Sequence, residues 1–280
     1  MAVRKRALPP GWYPSSAGEV ERQFENWERE APSDEKESAL AEAVAGIVPH
    51  AGWSFSGYLA YRVFRLISRS VDTLVVVGGH MSSTDPVVAA GEENYETPFG
   101  PVEADSNLLT YLKDEVKILQ DPIPDNTVEV QLPFVAGLFS GKKALYLRAP
   151  GSDEAAELGR KIAQAEKDLG KTIAVIGSTD LTHYGPDYGF TPKGTGQKAQ
   201  KWVKEENDRE IIEAFLNMNS KRVMEKALKD KAACSPGGPV AAIEFAAKKG
   251  VSKGSLVGYS LSSDIMPRNS FVGYAGVVFR

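Results

Sequence analysis

The chain has 280 residues, with 33 lysines and arginines against 37 aspartates and glutamates, a net charge of −4 at neutral pH. That balance disfavours a general nucleic-acid backbone binder, which needs a basic field. The single cysteine, Cys234, excludes an intrachain disulfide and a zinc site built from cysteines alone.

The elements read as follows along the chain. Ser16-Ala17-Gly18-Glu19 matches a capping box, so a helix is expected over 16–30. The charged, proline-bearing stretch 31–42 reads as a surface loop, and AVAGIVPH (43–50) as a short apolar run. Leu59, Val63, Leu66 and Ile67 give helical spacing over 56–69. DTLVVVGGH (72–80) reads as a strand buried on both faces, followed by a short strand at 86–90 and a turn-rich stretch at 95–105. Residues 106–115 and 127–139 are expected to be helical, the second with Pro133 as an interior liability. A strand at 143–149, a helix at 152–170 and a buried strand at 171–179 follow, then a glycine- and proline-rich loop at 185–197 whose composition suits a lid. Helices are expected over 199–217 and 220–229 and from about Pro239, and strands over 253–262 and 270–279. Alternating strands and helices without a linker predict one α/β domain over 1–280, with a central mostly parallel or mixed sheet flanked by helices. No apolar stretch approaches the roughly 20 residues of a membrane helix. The N-terminal MAVRKRALPPGWYPSS lacks an apolar signal core, so a cytoplasmic protein without membrane or nucleic-acid partners is expected.

The three histidines, His50, His80 and His183, each come just after an apolar run that reads as a buried strand. In parallel α/β sheets the carboxyl ends of strands are where ligands and catalytic groups gather. A lone histidine after a strand is ordinarily a hydrogen-bonded loop residue, but three at one edge can converge on a metal ion. Asp180, three residues before His183, reads as an imidazole-orienting group, a ligand or a helix cap. Tyr184 reads equally as a substrate contact or a packed ring. Cys234 precedes Pro236-Gly237-Gly238-Pro239, a helix entry where partial positive charge favours thiolate; a buried structural cysteine is the alternative. No nucleotide-binding glycine motif and no G-x-S-x-G elbow appear. An acyl-transfer site from Cys234, His183 and Asp180 would leave His50 and His80 unexplained.

These residues lie within segments that resemble the Memo family, called in prokaryotes AmmeMemoRadiSam system protein B: GWYPSSAGEVERQ, VPHAGWSFSG, VVVGGHMSS, YETPFGPVEAD, VEVQLPFV, GSTDLTHYG, the Cys234 segment and YSLSSD…SFVGYAGVVF. The resemblance implies a fold like that of class III extradiol dioxygenases, which cleave catechols with non-haem iron. It places His50 and His80 as metal ligands, Cys234 where the dioxygenases carry a glutamate ligand, His183 as the acid/base, and Asp180 in the same pocket. A thiolate is softer than a carboxylate and shifts preference toward copper(I), zinc or another iron state, so ring cleavage does not follow from the resemblance. The expected cofactor is iron or copper, with zinc admissible, and the expected activity a metal-dependent oxidoreductase-like one on an unidentified small molecule or peptide. The rivals are a peptide- or anion-binding module without catalysis and a zinc hydrolase. The resemblance also implies a functional link to AMMECR1-like and radical SAM proteins. Two positions depart from the family pattern. Asn126-Thr127-Val128-Glu129 stands where His-Ser-Ile-Glu is common, and Ser235 where glycine follows the cysteine. Glu129 is a candidate pocket carboxylate or an ion-paired helix residue.

Overall fold

The computed structural model describes residues 2–31 and 39–280, so most of the loop expected over 31–42 lies outside the described residues. The strands in chain order are β1 (Val3–Arg4), β2 (Ala45–Val48), β3 (Thr73–Gly78), β4 (Val87–Ala89), β5 (Asn94–Thr97), β6 (Gly100–Glu103), β7 (Ile118–Gln120), β8 (Lys143–Arg148), β9 (Ile173–Ser178), β10 (His183–Tyr184), β11 (Gly254–Leu261) and β12 (Phe271–Phe279). The helices are α1 (Ala17–Glu30), α2 (Trp53–Leu66), α3 (Ser106–Glu115), α4 (Asn126–Glu129), α5 (Leu132–Leu138), α6 (Asp153–Asp168), α7 (Gln197–Trp202), α8 (Asp208–Leu216), α9 (Ser220–Asp230), α10 (Gly237–Lys248) and α11 (Ser262–Ile265).

Among the described residues nine strands form one sheet, ordered β10-β12-β2-β9-β3-β8-β4-β7 with β11 beside β12. The centre, β2-β9-β3-β8, is parallel. The sheet is mixed because β12 runs antiparallel to β2, β10 and β11, and β4 antiparallel to β8. β1, β5 and β6 make a separate small sheet. No described helix is long and apolar enough to cross a membrane.

Period-two alternation splits each buried strand between two cores. Val75, Val77, Leu145, Leu147 and Val175 face an aliphatic core with Leu158 and Ile162 of α6 and Ile243 and Phe245 of α10. Leu74, Val76, Tyr146 and Ile176 face an aromatic core with α1, α2 and α5. There Trp53 stacks on Phe134 with centroids 4.2 Å apart, and Phe64 stacks on Phe134 at 5.0 Å. Such pairs contribute about 1 kcal/mol each beyond area burial.

The capping box of α1 forms as expected, Glu19 accepting from the Ser16 backbone. Pro133 is not interior to a helix: the 127–139 segment splits into α4 and α5, and Pro133 sits in the first turn of α5, where its missing N–H costs nothing. The helix expected over 199–217 is α7 and α8 joined by a π-turn at Val203–Asn207.

Candidate functional site

β2, β9 and β3 are parallel neighbours, so their exits share one edge of the sheet. β2 continues into Pro49-His50, β9 into Thr179-Asp180 and β3 into Gly79-His80. The turn at Gly79 has φ of +114°, a left-handed value that favours glycine, and its N–H donates to Thr127 Oγ1 at 2.8 Å. The His50 backbone N–H donates to Asp180 Oδ1 at 2.7 Å, joining two of the exits. The rings of His50 and His80 meet edge to face with centroids 5.0 Å apart.

Cys234 reaches the same point from the other end of the chain. Its backbone N–H donates to the Asp180 carbonyl at 3.2 Å, and its Sγ lies 3.3 Å from His50 Nε2. The close seating of α10 makes this position available. A Cβ on Gly238 would lie 2.4 Å from the Val77 carbonyl oxygen, and one on Gly237 2.0 Å from that of Ala149. One ligand atom each from His50, His80 and Cys234 fits within 4.8 Å of the others, a spacing that can hold a metal ion.

Both site-facing imidazoles have partners behind them. His50 Nδ1 lies 3.1 Å from Ser178 Oγ, and the Gln131 amide, which donates to the Pro49 carbonyl at 2.8 Å and to Ser178 Oγ at 3.4 Å, backs that contact. This leaves His50 Nε2 aimed at Cys234. His80 Nδ1 stands 4.0 Å from Asp125 Oδ2, whose carboxylate accepts from Arg148 Nη1 at 3.2 Å. Arg148 is itself held in a fork by Asp121 at 2.6 and 2.5 Å. His183 Nδ1 lies 3.1 Å from the Leu181 carbonyl. A carbonyl only accepts, so the neutral His183 ring carries its proton on Nδ1 and offers the Nε2 lone pair. Its ring meets Tyr188 edge to face at 5.0 Å.

Burial governs the electrostatics. It holds His50 well below the usual imidazole range, with the neighbouring His80 adding to the effect, so the ring is neutral as a ligand must be. Burial pushes Asp180 up to about 6, against the opposing pull of His183 and the His50 backbone N–H. Burial first, then the Asp180 charge, pushes the Cys234 thiol up. The thiolate expected from a helix entry is therefore not formed unaided. α10 begins only at Gly237, and desolvation outweighs its dipole.

His50, His80, Asp180 and His183, with Asn126, line a cleft of about 620 Å³ whose aromatic walls are Trp12, Phe55, Tyr188 and Tyr274, and Cys234 stands beside His50 outside that lining. A larger cavity of about 850 Å³ lies between α1 and α2, but its lining carries Glu19 and Arg22 and no imidazole or thiol.

Several expectations are corrected. His183 is not a strand exit but part of β10, paired with Val272 of β12. Asp180 caps no helix, since β10 and not a helix follows it; among the described residues no hydrogen bond links it to the His183 ring. Tyr184 is a packed ring, fully buried and stacked on Phe271 at 5.2 Å. Glu129 is not a pocket carboxylate: it accepts from the backbone N–H groups of Ala7 and Leu8 and from the Tyr13 hydroxyl, fastening the N-terminal segment. Asn126 does line the cleft and donates to the His50 carbonyl at 3.4 Å. Sequence reasoning missed Ser178, Gln131, Asp125, Tyr188 and Tyr274. Only the glycine-rich loop composition around Tyr188 offered a signal.

The model of the family described as Memo-like protein matches residues 4–278. A MEMO1 family protein of Thermococcus onnurineus is 30% identical, covering 99% of each chain. One from Methanococcoides burtonii is 33% identical over 85% of this chain and 87% of that protein. The crystal structure of uncharacterized protein JW3007 from Escherichia coli K12 is similar at 13% identity over 82% of this chain and 98% of that one, with a TM-score of 0.48. With a family model spanning nearly its whole length and full-length relatives at 30% identity, the chain belongs to the Memo family.

Proposed function

We propose that this protein binds one redox-capable transition metal, iron or copper, through His50, His80 and Cys234, and that the cleft in front of it accepts a small-molecule or peptide ligand for metal-dependent oxidoreductase-type chemistry. The observation that carries this is the gathering of two imidazoles and the chain's only thiol within 4.8 Å at one sheet edge, the two imidazoles lining a cleft. The donor set fits such an ion: a neutral buried imidazole, a second imidazole backed by a carboxylate, and a sulfur that ionises on binding. When bound, the metal would supply Lewis-acid polarisation and one-electron chemistry.

The chain's own residues do the rest. His183, with its proton on Nδ1, accepts a proton at Nε2 from an acidic group of the ligand. Tyr188 packs on its ring edge-on and fixes the direction of that lone pair. Asp180 holds the His50 backbone, so the imidazole does not drift as the ligand enters. Trp12, Phe55 and Tyr274 exclude water and offer apolar surface to the ligand body.

The test is metal content after purification without added metal or a histidine tag. About one equivalent of iron or copper per chain is expected in the parent, falling below about a tenth in His50→Ala and Cys234→Ala. Full occupancy in both variants rejects the ligand set. Zinc as the sole bound element rejects the redox assignment.

A further inference from the structure

Cys234 lines a second cavity and not the cleft. A separate cavity of about 410 Å³ includes Cys234, Met81 and Met224 in its lining and shares no lining residue with the cleft. The chain has five methionines and one cysteine, so half of its sulfur side chains line this one cavity. Composition alone would not collect them there. Met81 directly follows His80, and a Cβ on Gly79 would lie 2.9 Å from its Sδ. The thioether therefore folds back over the turn that carries a metal-facing histidine, and only glycine leaves room for it. Met224 comes from α9, beside Ala227 and the 82% exposed Leu228. The one charged lining residue, Glu225, is already paired with Arg222 at 2.9 Å.

We propose that this cavity is a sulfur-lined port through which copper(I) reaches Cys234 and the two histidines, Met81 and Met224 holding the ion transiently on the way. This rests on the metal site described above and goes beyond it by naming the route. The chemistry selects the ion. Thioethers are uncharged soft donors that bind copper(I) well and hydrated iron(II) or zinc(II) poorly. Beside the thioethers the port offers only the Ser82 and Ser83 hydroxyls and a carboxylate already paired with Arg222, a poor donor set for a hydrated divalent ion. At Cys234 the cation adds to sulfur and the thiol proton leaves to the buffer; no electron is transferred.

The experiment is anaerobic loading of chelator-stripped protein from a chromophoric copper(I) complex, comparing the parent with the Met81→Leu/Met224→Leu double variant. Leucine conserves volume and apolarity, so the fold is retained, which circular dichroism checks. Copper(I) uptake about tenfold slower or weaker is expected in the double variant, with zinc(II) uptake unchanged. In parallel, silver(I) added below one equivalent to protein carrying 13C-methyl methionine is expected to shift the Met81 and Met224 signals and leave Met218 in place. Copper(I) uptake at the parent rate in the double variant, or unmoved Met81 and Met224 methyls, overturns the port. Parent protein that takes up zinc(II) or iron(II) through Cys234 but no copper(I) also overturns the port and leaves the metal site standing. Copper(I) uptake unchanged in Cys234→Ala overturns both.

Discussion

Two buried aspartates lie close to β10, and they have opposite surroundings. Asp208 is saturated: it accepts from the Thr182 N–H at 3.1 Å and the Thr182 hydroxyl at 2.5 Å, and its other oxygen accepts from the Tyr259 hydroxyl at 2.8 Å. Asp180 accepts from the backbone N–H groups of His50 and Ala51, while its Oδ2 stands 3.9 Å from the His50 ring and the residue lines the cleft. Burial raises both carboxyls, Asp208 to about 7 and Asp180 to about 6. Burial and a shifted carboxyl therefore do not mark a working group. Asp208 joins β10, α8 and β11 into one unit, whereas Asp180 keeps capacity unspent where other donors converge.

The comparison breaks most readily through stability. Replacing Asp208 with alanine strands the Thr182 N–H and two hydroxyls in the interior and is expected to cost about 4 kcal/mol, read as a lower urea midpoint at unchanged slope. Asp180→Ala is expected to cost about 2 kcal/mol, since the His50 and Ala51 backbone N–H groups lose their partner at the wall of an open cleft that water can reach. Equal losses would erase the distinction.

The next effect concerns how Asp180 and Cys234 come together. Gly238→Ala places a methyl against fixed backbone, 2.4 Å from the Val77 oxygen and 2.7 Å from the Ser178 nitrogen. A loss of about 3 kcal/mol is expected and, if the proposed metal site is correct, a lower metal content as α10 lifts Cys234 away from His50. A variant that keeps both its midpoint and its metal would show that the close seating of α10 is dispensable.

The last effect sharpens the contrast by pH. Asp208 is raised in the folded state, so the folded chain binds the extra proton between the ordinary carboxyl range and about pH 7. Its contribution is fully present below about pH 4 and is lost as pH rises through about 7, at up to about 1.4 kcal/mol per pH unit. Tyr259 is the titratable group that faces it, and it stays protonated because its own hydroxyl is pushed up by burial and by Asp208. Asp208→Asn keeps the Thr182 contacts on its oxygen and donates to Tyr259 from its amide, so unfolding free energies of this variant are expected to lose that slope. An identical slope in parent and variant places the titration elsewhere.

Much of the framework was legible because it rests on local chemistry. The β-branched run over 72–80 is β3, the Ser16–Glu19 box starts α1, and the strand exits locate His50 and His80. The family resemblance is matched along nearly the whole chain. What the sequence hid comes from long-range pairing. A two-residue strand has no periodicity, so nothing local announced that His183 pairs with β12. Tyr274 enters the cleft only because β12 runs antiparallel to its neighbours, and Ser178 reads as an ordinary strand residue until the His50 ring lies over it. Glu129 reads from sequence as a pocket acid or an ion-paired helix residue and is neither, because nothing in its helix shows that three donors from residues 7–13 come to it.

That fastening has an evolutionary consequence. Pro10, Gly11 and Trp12 form one wall of the cleft without belonging to any strand or helix; Glu129 fastens the residues on either side of them, and the Trp53 N–H donates to the Trp12 carbonyl at 2.8 Å. Mutations between residues 8 and 12 can therefore remodel what the cleft admits while the scaffold beneath drifts at its own pace.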